Sequence, residues 1–253
     1  MKLFSRVLGQ GQPMLIIHGL FGMSDNWQAL GKEFSDFFEV HLIDQRNHGR
    51  SPHAEAFSYA EMSMDLSEYI LDRHLKDVII IGHSLGGKTA MKLAINEPQL
   101  IQKLVVVDIS PRYYAVHHHK IIEGLQSLNL THLNSRSQAD QILSQYIVEN
   151  DVRQFLLKSI YWKEKGLLDY RFNLKSIAEN IENVGEPLPP NTKFNKSSLF
   201  LKGQLSNYIL EEDEDLIFSH FPKAQIETFD QCGHWLHAEN PTQFFETVMR
   251  FCL

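Results

Sequence analysis

The sequence predicts an α/β protein with a mostly parallel central sheet and helices on both of its faces. Short, continuous apolar runs alternate four times with segments whose apolar residues recur at helical spacing. Continuous apolar runs are typical of strands that are buried on both faces of a parallel sheet. The chain has 253 residues, and 43% of them are hydrophobic, which is enough for a large buried core. Alternation of this kind favours a doubly wound sheet with right-handed crossovers.

The elements of this sheet follow one another along the chain. Glycines and a proline at 9–13 end the first strand, capping residues precede the first helix, and Pro241 suits the first position of the last helix. The predicted strands are residues 2–7, 14–17, 39–43, 78–81, 103–107, 198–201 and 224–229. The predicted helices around them are residues 27–34, 59–74, 88–95, 210–218 and 241–251.

The alternation stops after the fifth strand. Between residues 112 and 190 the pattern predicts no convincing strand, and a proline-rich stretch ends this segment. We therefore expect residues 1–111 and 191–253 to form the core, and residues 112–190 to form a helical lid over the C-terminal edge of the sheet. The helix-like stretches in the lid are residues 119–128, 137–149, 152–161 and 174–184.

A serine directly follows the fourth predicted strand. Residues 82–86 read Gly-His-Ser-Leu-Gly, which matches the Gly-x-Ser-x-Gly nucleophile elbow. The chain must turn from strand to helix within a few residues, which strains the backbone at Ser84 and leaves no room for side chains at Gly82 and Gly86. The helix that follows faces its N-terminus toward any anion that forms at the serine. Ser84 is therefore the predicted nucleophile.

A serine nucleophile needs a general base, and the base needs a partner that stabilises its charged form. His234 is the best candidate base, because it follows a strand through a glycine near the C-terminus, in the order that this architecture uses. Other histidines have weaker claims. His83 lies within the elbow, His18 lies in a glycine-rich turn, and His237 lies one helical turn from His234.

Several motifs together resemble the α/β-hydrolase fold family. They are the glycine-rich turn at 18–22, the polar loop at 44–51 and the elbow at 82–87. The resemblance covers essentially the whole chain. The stretches 108–111 and 233–239 narrow it to the YbfF-type bacterial esterases and their mitochondrial relatives. In that family the glycine-rich turn supplies an oxyanion hole, which implies the amides of Leu20, Phe21 and Leu85 as donors.

The acid is where the sequence departs from the larger superfamily. Most members carry an aspartate shortly after the strand that follows the lid, and Ser206 stands at the matching place here. A serine cannot stabilise an imidazolium by charge. Asp108 can, because it ends the strand after the elbow strand at the same sheet edge, and YbfF-type esterases pair such an aspartate with a serine. We expect Asp108 to orient His234 and Ser206 to add a hydrogen bond. The alternative acids are Asp213, Asp215 and Asp230.

Other polar residues are interpreted as structural. A loop as polar as 44–51 must satisfy its own groups by internal hydrogen bonds. The three adjacent histidines at 117–119 cannot all point one way, so we expect a solvated stretch and no metal site. The residues interpreted as structural are Asp44, Arg46, His48, Lys88, Cys232 and Cys252.

Apolar residues of the lid either line an acyl pocket or simply pack on the core. The residues concerned are Tyr113, Tyr114, Phe155, Leu156, Ile160, Tyr161 and Trp162. Our candidate substrate-binding residues are Tyr113, Phe155, Tyr161, Trp162 and Trp235.

The predicted activity is hydrolysis of carboxylic esters, or of acyl-CoA thioesters, through an acyl-enzyme on Ser84 and without metal or cofactor. A serine at the elbow excludes the dehalogenase and epoxide hydrolase chemistry of this fold, which uses a carboxylate there. Two alternatives stay open. One is a C–C bond hydrolase or lyase with the same triad, and the other is a ligand-binding protein on this fold.

Charge and hydropathy narrow the partners. A net charge of −7 gives no electrostatic footprint for nucleic acid or an anionic membrane. The N-terminus lacks the apolar stretch of a signal peptide, and no uninterrupted apolar run is long enough to span a bilayer. We therefore expect a cytoplasmic protein, monomer or homodimer, whose partner is a small-molecule acyl ester or thioester.

Overall fold

A computed structural model describes residues 1–133 and 135–253 of the chain. Within these residues, the strands are β1 (Ser5–Leu8), β2 (Pro13–Ile17), β3 (Glu39–Ile43), β4 (Val78–His83), β5 (Ile101–Val107), β6 (Ile160–Glu164), β7 (Leu167–Tyr170), β8 (Ser198–Gly203) and β9 (Ala224–Phe229). The α-helices are α1 (Gln28–Phe34), α2 (Tyr59–Asp72), α3 (Leu85–Asn96), α4 (His119–Ser127), α5 (Arg136–Leu143), α6 (Asn150–Lys158), α7 (Leu174–Glu179), α8 (Glu214–His220), α9 (Leu236–Glu239) and α10 (Pro241–Cys252).

Seven of these strands form one sheet in the order β1-β3-β2-β4-β5-β8-β9. Strand β1 runs antiparallel to β3, and every other neighbouring pair is parallel. The predicted α/β class with a mostly parallel sheet is therefore confirmed. Strand β1 begins later than predicted, at Ser5 instead of residue 2, because the Phe4 amide donates to Ser51 Oγ instead of joining the ladder.

Alternate residues of the central strands pack into two separate cores. Leu15 and Ile17 of β2 pack with residues of α2, α3 and α8 on one face of the sheet. Met14 and Ile16 pack with residues of α1 and α10 on the other face. Because both faces are covered, every position of such a strand can be apolar, and the sequence shows uninterrupted apolar runs.

Between β5 and β8 the chain leaves the sheet and forms α4 to α7 and the β6-β7 hairpin. The expectation of a segment without strands is wrong, because β6 and β7 pair as antiparallel strands. The predicted helix 152–161 ends as α6 at Lys158. Tyr161 and Trp162 are aromatic residues that favour a strand, and Gly166, with φ of 85°, allows the tight turn.

A third group of buried residues joins this segment to the C-terminal edge of the sheet. Leu125, Leu143 and Leu156 of the segment pack in one cluster with Phe21 and Leu85, which follow β2 and β4. The segment therefore covers the edge at which the elbow lies. In the described part of the chain, no helix combines the length and the apolar character that crossing a membrane requires.

Candidate active site

Ser84 lies at the turn between β4 and α3 with φ of 52° and ψ of −117°. This left-handed conformation is strained for a residue with a side chain. A Cβ atom on Gly82 would lie 2.4 Å from the carbonyl oxygen of Gly86, and one on Gly86 would lie 2.5 Å from the carbonyl oxygen of Ile17. Only glycine fits at these two positions, so the spacing of the motif permits the turn that presents Ser84.

Asp108 and His234 are in direct contact at the same edge. Nδ1 of His234 lies 2.7 Å from Oδ2 of Asp108. An ionised carboxylate only accepts hydrogen bonds, so this contact assigns the imidazole proton to Nδ1 and leaves Nε2 as an acceptor. The Asp108 side chain is fully buried, and its Oδ1 accepts from the Gly203 amide at 3.0 Å. The carboxylate is therefore fixed in a position that orients the histidine.

Ser206 also meets this carboxylate. Its Oγ donates to Oδ2 of Asp108 and accepts from the Tyr208 amide at 3.2 Å. The alternative acids lie elsewhere: Asp213 accepts from Arg112 Nε at 3.1 Å and from the Leu210 amide at 2.9 Å. Asp215 and Asp230 are exposed. The structure thus brings together the three residues that the sequence placed in one network.

The three predicted oxyanion donors differ in what their amides do. The Phe21 amide donates to Nε2 of His48 at 3.1 Å, and Nδ1 of His48 donates to the Arg46 carbonyl at 2.9 Å. Phe21 is therefore already engaged and does not face an oxyanion. Among the described residues, the amides of Leu20 and Leu85 meet no acceptor. Leu85 is the first residue of α3, where an unpaired amide is expected.

Two of the alternative histidines pack behind His234. Nε2 of His83 donates to the carbonyl oxygen of His234 at 2.9 Å, and its ring centroid lies 4.6 Å from that of His237. Burial lowers the pKa of both rings, that of His237 to about 3. Both are therefore neutral near pH 7, and they support the loop that carries His234. The third alternative, His18, is buried, and its Nε2 accepts from the Gln45 amide at 3.1 Å.

Ser84 and His234 line one cavity of about 440 Å³, which we call the main cavity. The cavity lies between the C-terminal edge of the sheet and the segment between β5 and β8, and residues of both line it. Two of the candidate substrate-binding residues, Phe155 and Trp235, line it, with ring centroids 5.5 Å apart. The lining residues that the sequence analysis missed include Ile121, Tyr146, Ile147, Val152 and Tyr208.

Three candidate pocket residues lie away from the main cavity. Tyr161 and Trp162 belong to the β6-β7 hairpin, where the Arg171 guanidinium covers the Tyr161 ring at 3.7 Å and Trp162 is exposed. Tyr113 is also exposed. Ile121 and Phe155 lie on the apolar faces of α4 and α6, and these faces could have indicated the cavity lining from the sequence. The sequence did not show which helix faces pack around the cavity.

Two further spaces adjoin the main cavity. The small cavity, of about 30 Å³, is lined by Leu20, Ser84 and Leu85 together with residues of the covering segment. The outer groove is an open depression of about 520 Å³. It is lined by Arg112, Tyr114, Ala115, His117, Leu205, Ser206, Asn207, Tyr208 and His234.

The histidine run at 117–119 is not simply solvated, contrary to expectation. His117 and His118 line the main cavity, and Nε2 of His117 lies 3.0 Å from the Tyr208 hydroxyl. Burial lowers the pKa of His118 to about 3, so its ring is neutral near pH 7. His117 and His118 lie just before α4 and contact the cavity. The polarity of these residues in the sequence did not indicate this position.

The residues interpreted as structural are buried, and the polar ones among them are hydrogen-bonded. Asp44 accepts from the amides of Ser24 and Arg50 at 2.6 and 2.8 Å. Arg46 forms a bidentate pair with Asp65 at 2.6 and 3.0 Å. Both cysteines are free and buried.

Lys88 connects the elbow helix to both ends of the covering segment. Its Nζ donates to the carbonyls of Arg112 and Glu186 at 2.7 and 2.6 Å. Burial lowers its pKa to about 7.

Comparisons with known proteins agree with this architecture. A family model described as the alpha/beta hydrolase fold matches residues 12–121. A solved structure titled "Marine microorganism esterase" is 43% identical and aligns over 99% of both chains with a TM-score of 0.95. Esterase YbfF of Escherichia coli is 32% identical over 94% of this chain and 92% of its own length. The sn-1-specific diacylglycerol lipase ABHD11 of Danio rerio is 34% identical over 96% and 79%, respectively. The chain belongs to the α/β-hydrolase fold family and is an enzyme of its esterase and lipase group.

Proposed function

We propose that the protein hydrolyses carboxylic esters, and thioesters by the same route, through an acyl-enzyme on Ser84. The observation that carries this proposal is the 2.7 Å contact between Asp108 Oδ2 and His234 Nδ1, which leaves Nε2 of the same ring free to accept a proton. Ser84 and His234 line one cavity, so a substrate bound there meets both groups. A general base within reach of a serine is the arrangement that nucleophilic acyl transfer needs.

In the first half of the reaction, Ser84 Oγ attacks the carbonyl carbon while its proton passes to Nε2 of His234. The Asp108 carboxylate stabilises the imidazolium that forms. Collapse of the tetrahedral intermediate breaks the bond to the leaving oxygen or sulfur, which takes the proton from Nε2. In the second half, His234 activates a water molecule that attacks the acyl-serine and releases the acid.

The amides of Leu20 and Leu85 are the donors that we assign to the oxyanion. Leu20 follows β2 and Leu85 begins α3, so both lie at the C-terminal edge of the sheet. Among the described residues, neither amide donates to another acceptor. The N-terminus of α3 adds a favourable dipole at this place. In other acyl-transfer enzymes, loss of one such donor lowers kcat by about two to three orders of magnitude.

Residues 112–190 act in this proposal as a lid on a core of residues 1–111 and 191–253. The lid supplies Ile121, Ile147, Val152 and Phe155 to the main cavity. Aliphatic and aromatic walls of this kind suit the hydrocarbon part of an acyl group. Ser206 supports the network by donating a hydrogen bond to the Asp108 carboxylate.

Covalent labelling tests the proposal directly. A fluorophosphonate should label the protein, and Ser84→Ala should abolish both the label and turnover of a nitrophenyl ester. Labelling that persists in a folded Ser84→Ala variant would overturn the assignment of the nucleophile. A folded wild-type protein that neither labels nor turns over any ester would favour a ligand-binding role. Esters and thioesters with the same acyl group and a matched leaving group compare the two substrate classes.

A further inference from the structure

Three spaces lie beside Ser84 or His234, and each is lined by a different part of the proposed catalytic machinery. Among the described residues, the small cavity is lined by Ser84, Leu20 and Leu85 but not by His234. The outer groove is lined by His234 but not by Ser84 or Leu20. The main cavity is lined by both Ser84 and His234. The three spaces therefore differ in whether the nucleophile, the general base or both line them.

The tetrahedral intermediate has three substituents besides Ser84 Oγ, namely the oxyanion, the acyl chain and the leaving oxygen. The oxyanion needs backbone amides, and the leaving oxygen must receive its proton from the imidazole that took it from the serine. The leaving group therefore lies on the side of His234. We propose that the outer groove, formed around Arg112, Leu205, Asn207 and Tyr208, binds the leaving alcohol, an assignment that rests on the proposed ester hydrolysis.

The sizes of the spaces support this division. The small cavity, at about 30 Å³, is more than ten times smaller than the main cavity of about 440 Å³ and the outer groove of about 520 Å³, so it suits the oxyanion better than either larger substituent. The main cavity is lined by Ile121, Val152 and Phe155, which suit the acyl chain. The outer groove has about 520 Å³ and is open, so it accepts a leaving group that extends toward solvent.

The groove begins at the imidazole itself. The Tyr208 ring stacks on the His234 ring with a centroid distance of 4.0 Å and an interplanar angle of 20°. The Tyr208 hydroxyl is bonded to His117, which fixes this wall. His234 and Tyr208 therefore form one continuous wall that leads from the imidazole into the groove.

The lining suits an uncharged alcohol. The Arg112 guanidinium is already paired with Asp213, and its Nη2 donates to the Asn207 carbonyl at 3.1 Å. Leu205 is a large apolar side chain of the lining and is 70% exposed. An alcohol with some apolar surface would cover Leu205. An ionic alcohol would gain little from the Arg112 guanidinium, because Asp213 already neutralises that charge.

Charge substitutions at Leu205, which lines the proposed groove but is not one of the proposed catalytic residues, test the assignment. The substrates are butyrate esters of choline, of its uncharged isostere dimethylbutanol and of hydroxyethanesulfonate. The wild type should prefer the uncharged ester. Leu205→Asp should raise kcat/KM for the choline ester relative to the uncharged ester about threefold, and Leu205→Lys should lower it to a similar extent, as expected for a charge roughly 6 Å away in water. The hydroxyethanesulfonate ester should respond with the opposite sign.

Val148 supplies the matched control, because it is 85% exposed and lies beside residues that line the main cavity. Val148→Asp and Val148→Lys should leave the leaving-group ratios unchanged. The groove assignment would be overturned if the ratio of kcat/KM between charged and uncharged esters did not change in the Leu205 variants. It would also be overturned if the ratio changed equally in the Val148 variants. Turnover of the uncharged ester by the wild type reports separately on the proposed function, so the two failures are distinguishable. Circular dichroism of each variant checks the fold.

Discussion

Replacing Asp108 by asparagine changes the charge at the centre of the network while keeping its shape. Three donors meet the carboxylate: the Gly203 amide, the Ser206 hydroxyl and Nδ1 of His234. A carboxamide has one acceptor oxygen and one NH₂ group. With its oxygen toward Gly203, it presents NH₂ to the imidazole, which then accepts at Nδ1 and carries its proton on Nε2. That tautomer cannot take a proton from Ser84.

The expected loss is large and confined to turnover. In a Ser-His-Asp site, the corresponding change lowers kcat by about 10⁴-fold, which is about 5.5 kcal/mol of barrier. The Ser206 hydroxyl also exchanges a hydrogen bond to a charged acceptor for one to a neutral amide; bonds to charged groups contribute about 1.5–3 kcal/mol and neutral ones about 1 kcal/mol. We therefore expect kcat for a nitrophenyl ester to fall about four orders of magnitude, with KM little changed and a moderately lower urea midpoint.

The comparison that decides the matter is with Asp213→Asn. Asp213 is buried and paired with Arg112, so its substitution costs stability without altering the imidazole. A folded Asp108→Asn protein that keeps more than about a tenth of wild-type kcat would refute the assignment of the acid. If folded Asp213→Asn lost more kcat than Asp108→Asn, Asp213 would be the acid that orients His234.

Three other predictions concern the surroundings of His234. Ser206→Ala removes one hydrogen bond to a charged group, so kcat/KM should fall about tenfold, and a loss as large as that of Asp108→Asn would contradict a supporting role. His83→Phe should lower kcat about tenfold at constant KM, and His83→Gln should recover most of it if the bond to the His234 carbonyl positions the ring. Below pH about 6.5 the unfolded chain protonates histidines whose folded pKa is lowered by burial, so the free energy of unfolding should fall as pH drops toward 4, by up to about 1.4 kcal/mol per pH unit and histidine. The urea midpoint should fall with it, and a constant midpoint would contradict the prediction. These histidines include His18, His48, His118 and His237, with pKa values of about 4, 3, 3 and 3, and His83, whose pKa burial also lowers.

The sheet was predictable because its strands carry their own signal. Covered on both faces, β2, β4, β5 and β8 each contain a run of three or four consecutive apolar residues, and this pattern needs no tertiary information. The elbow is equally local, since Gly82 and Gly86 are required by contacts within a few residues of Ser84 or with the adjacent strand. Parallel strands then bring their C-terminal ends to one edge, which is why the contact between Asp108 and His234 was foreseeable.

The residues that were misplaced depend on contacts far along the chain. Nothing near Phe21 shows that its amide meets His48, which comes from the loop after β3. Tyr161 and Trp162 have the composition of a pocket wall, but the hairpin directs them away from the cavity. His118 is polar in sequence and half-buried in the fold, because the packing of the lid on the edge decides its surroundings.

The order of the strands explains how the proposed acid, Asp108, can follow β5 instead of β8. Leu20, Ser84, Asp108, Ser206 and His234 follow β2, β4, β5, β8 and β9, which are five consecutive neighbours in the sheet. Strands β5 and β8 are adjacent, and the Asp108 amide donates to a β8 carbonyl at 2.8 Å. A carboxylate at the end of β5 can therefore reach the space beside the imidazole that a residue after β8 would fill. Ser206 occupies that second position and bonds the carboxylate, so the network keeps its charge and its acceptor for His234 while the residue that supplies them changes strand.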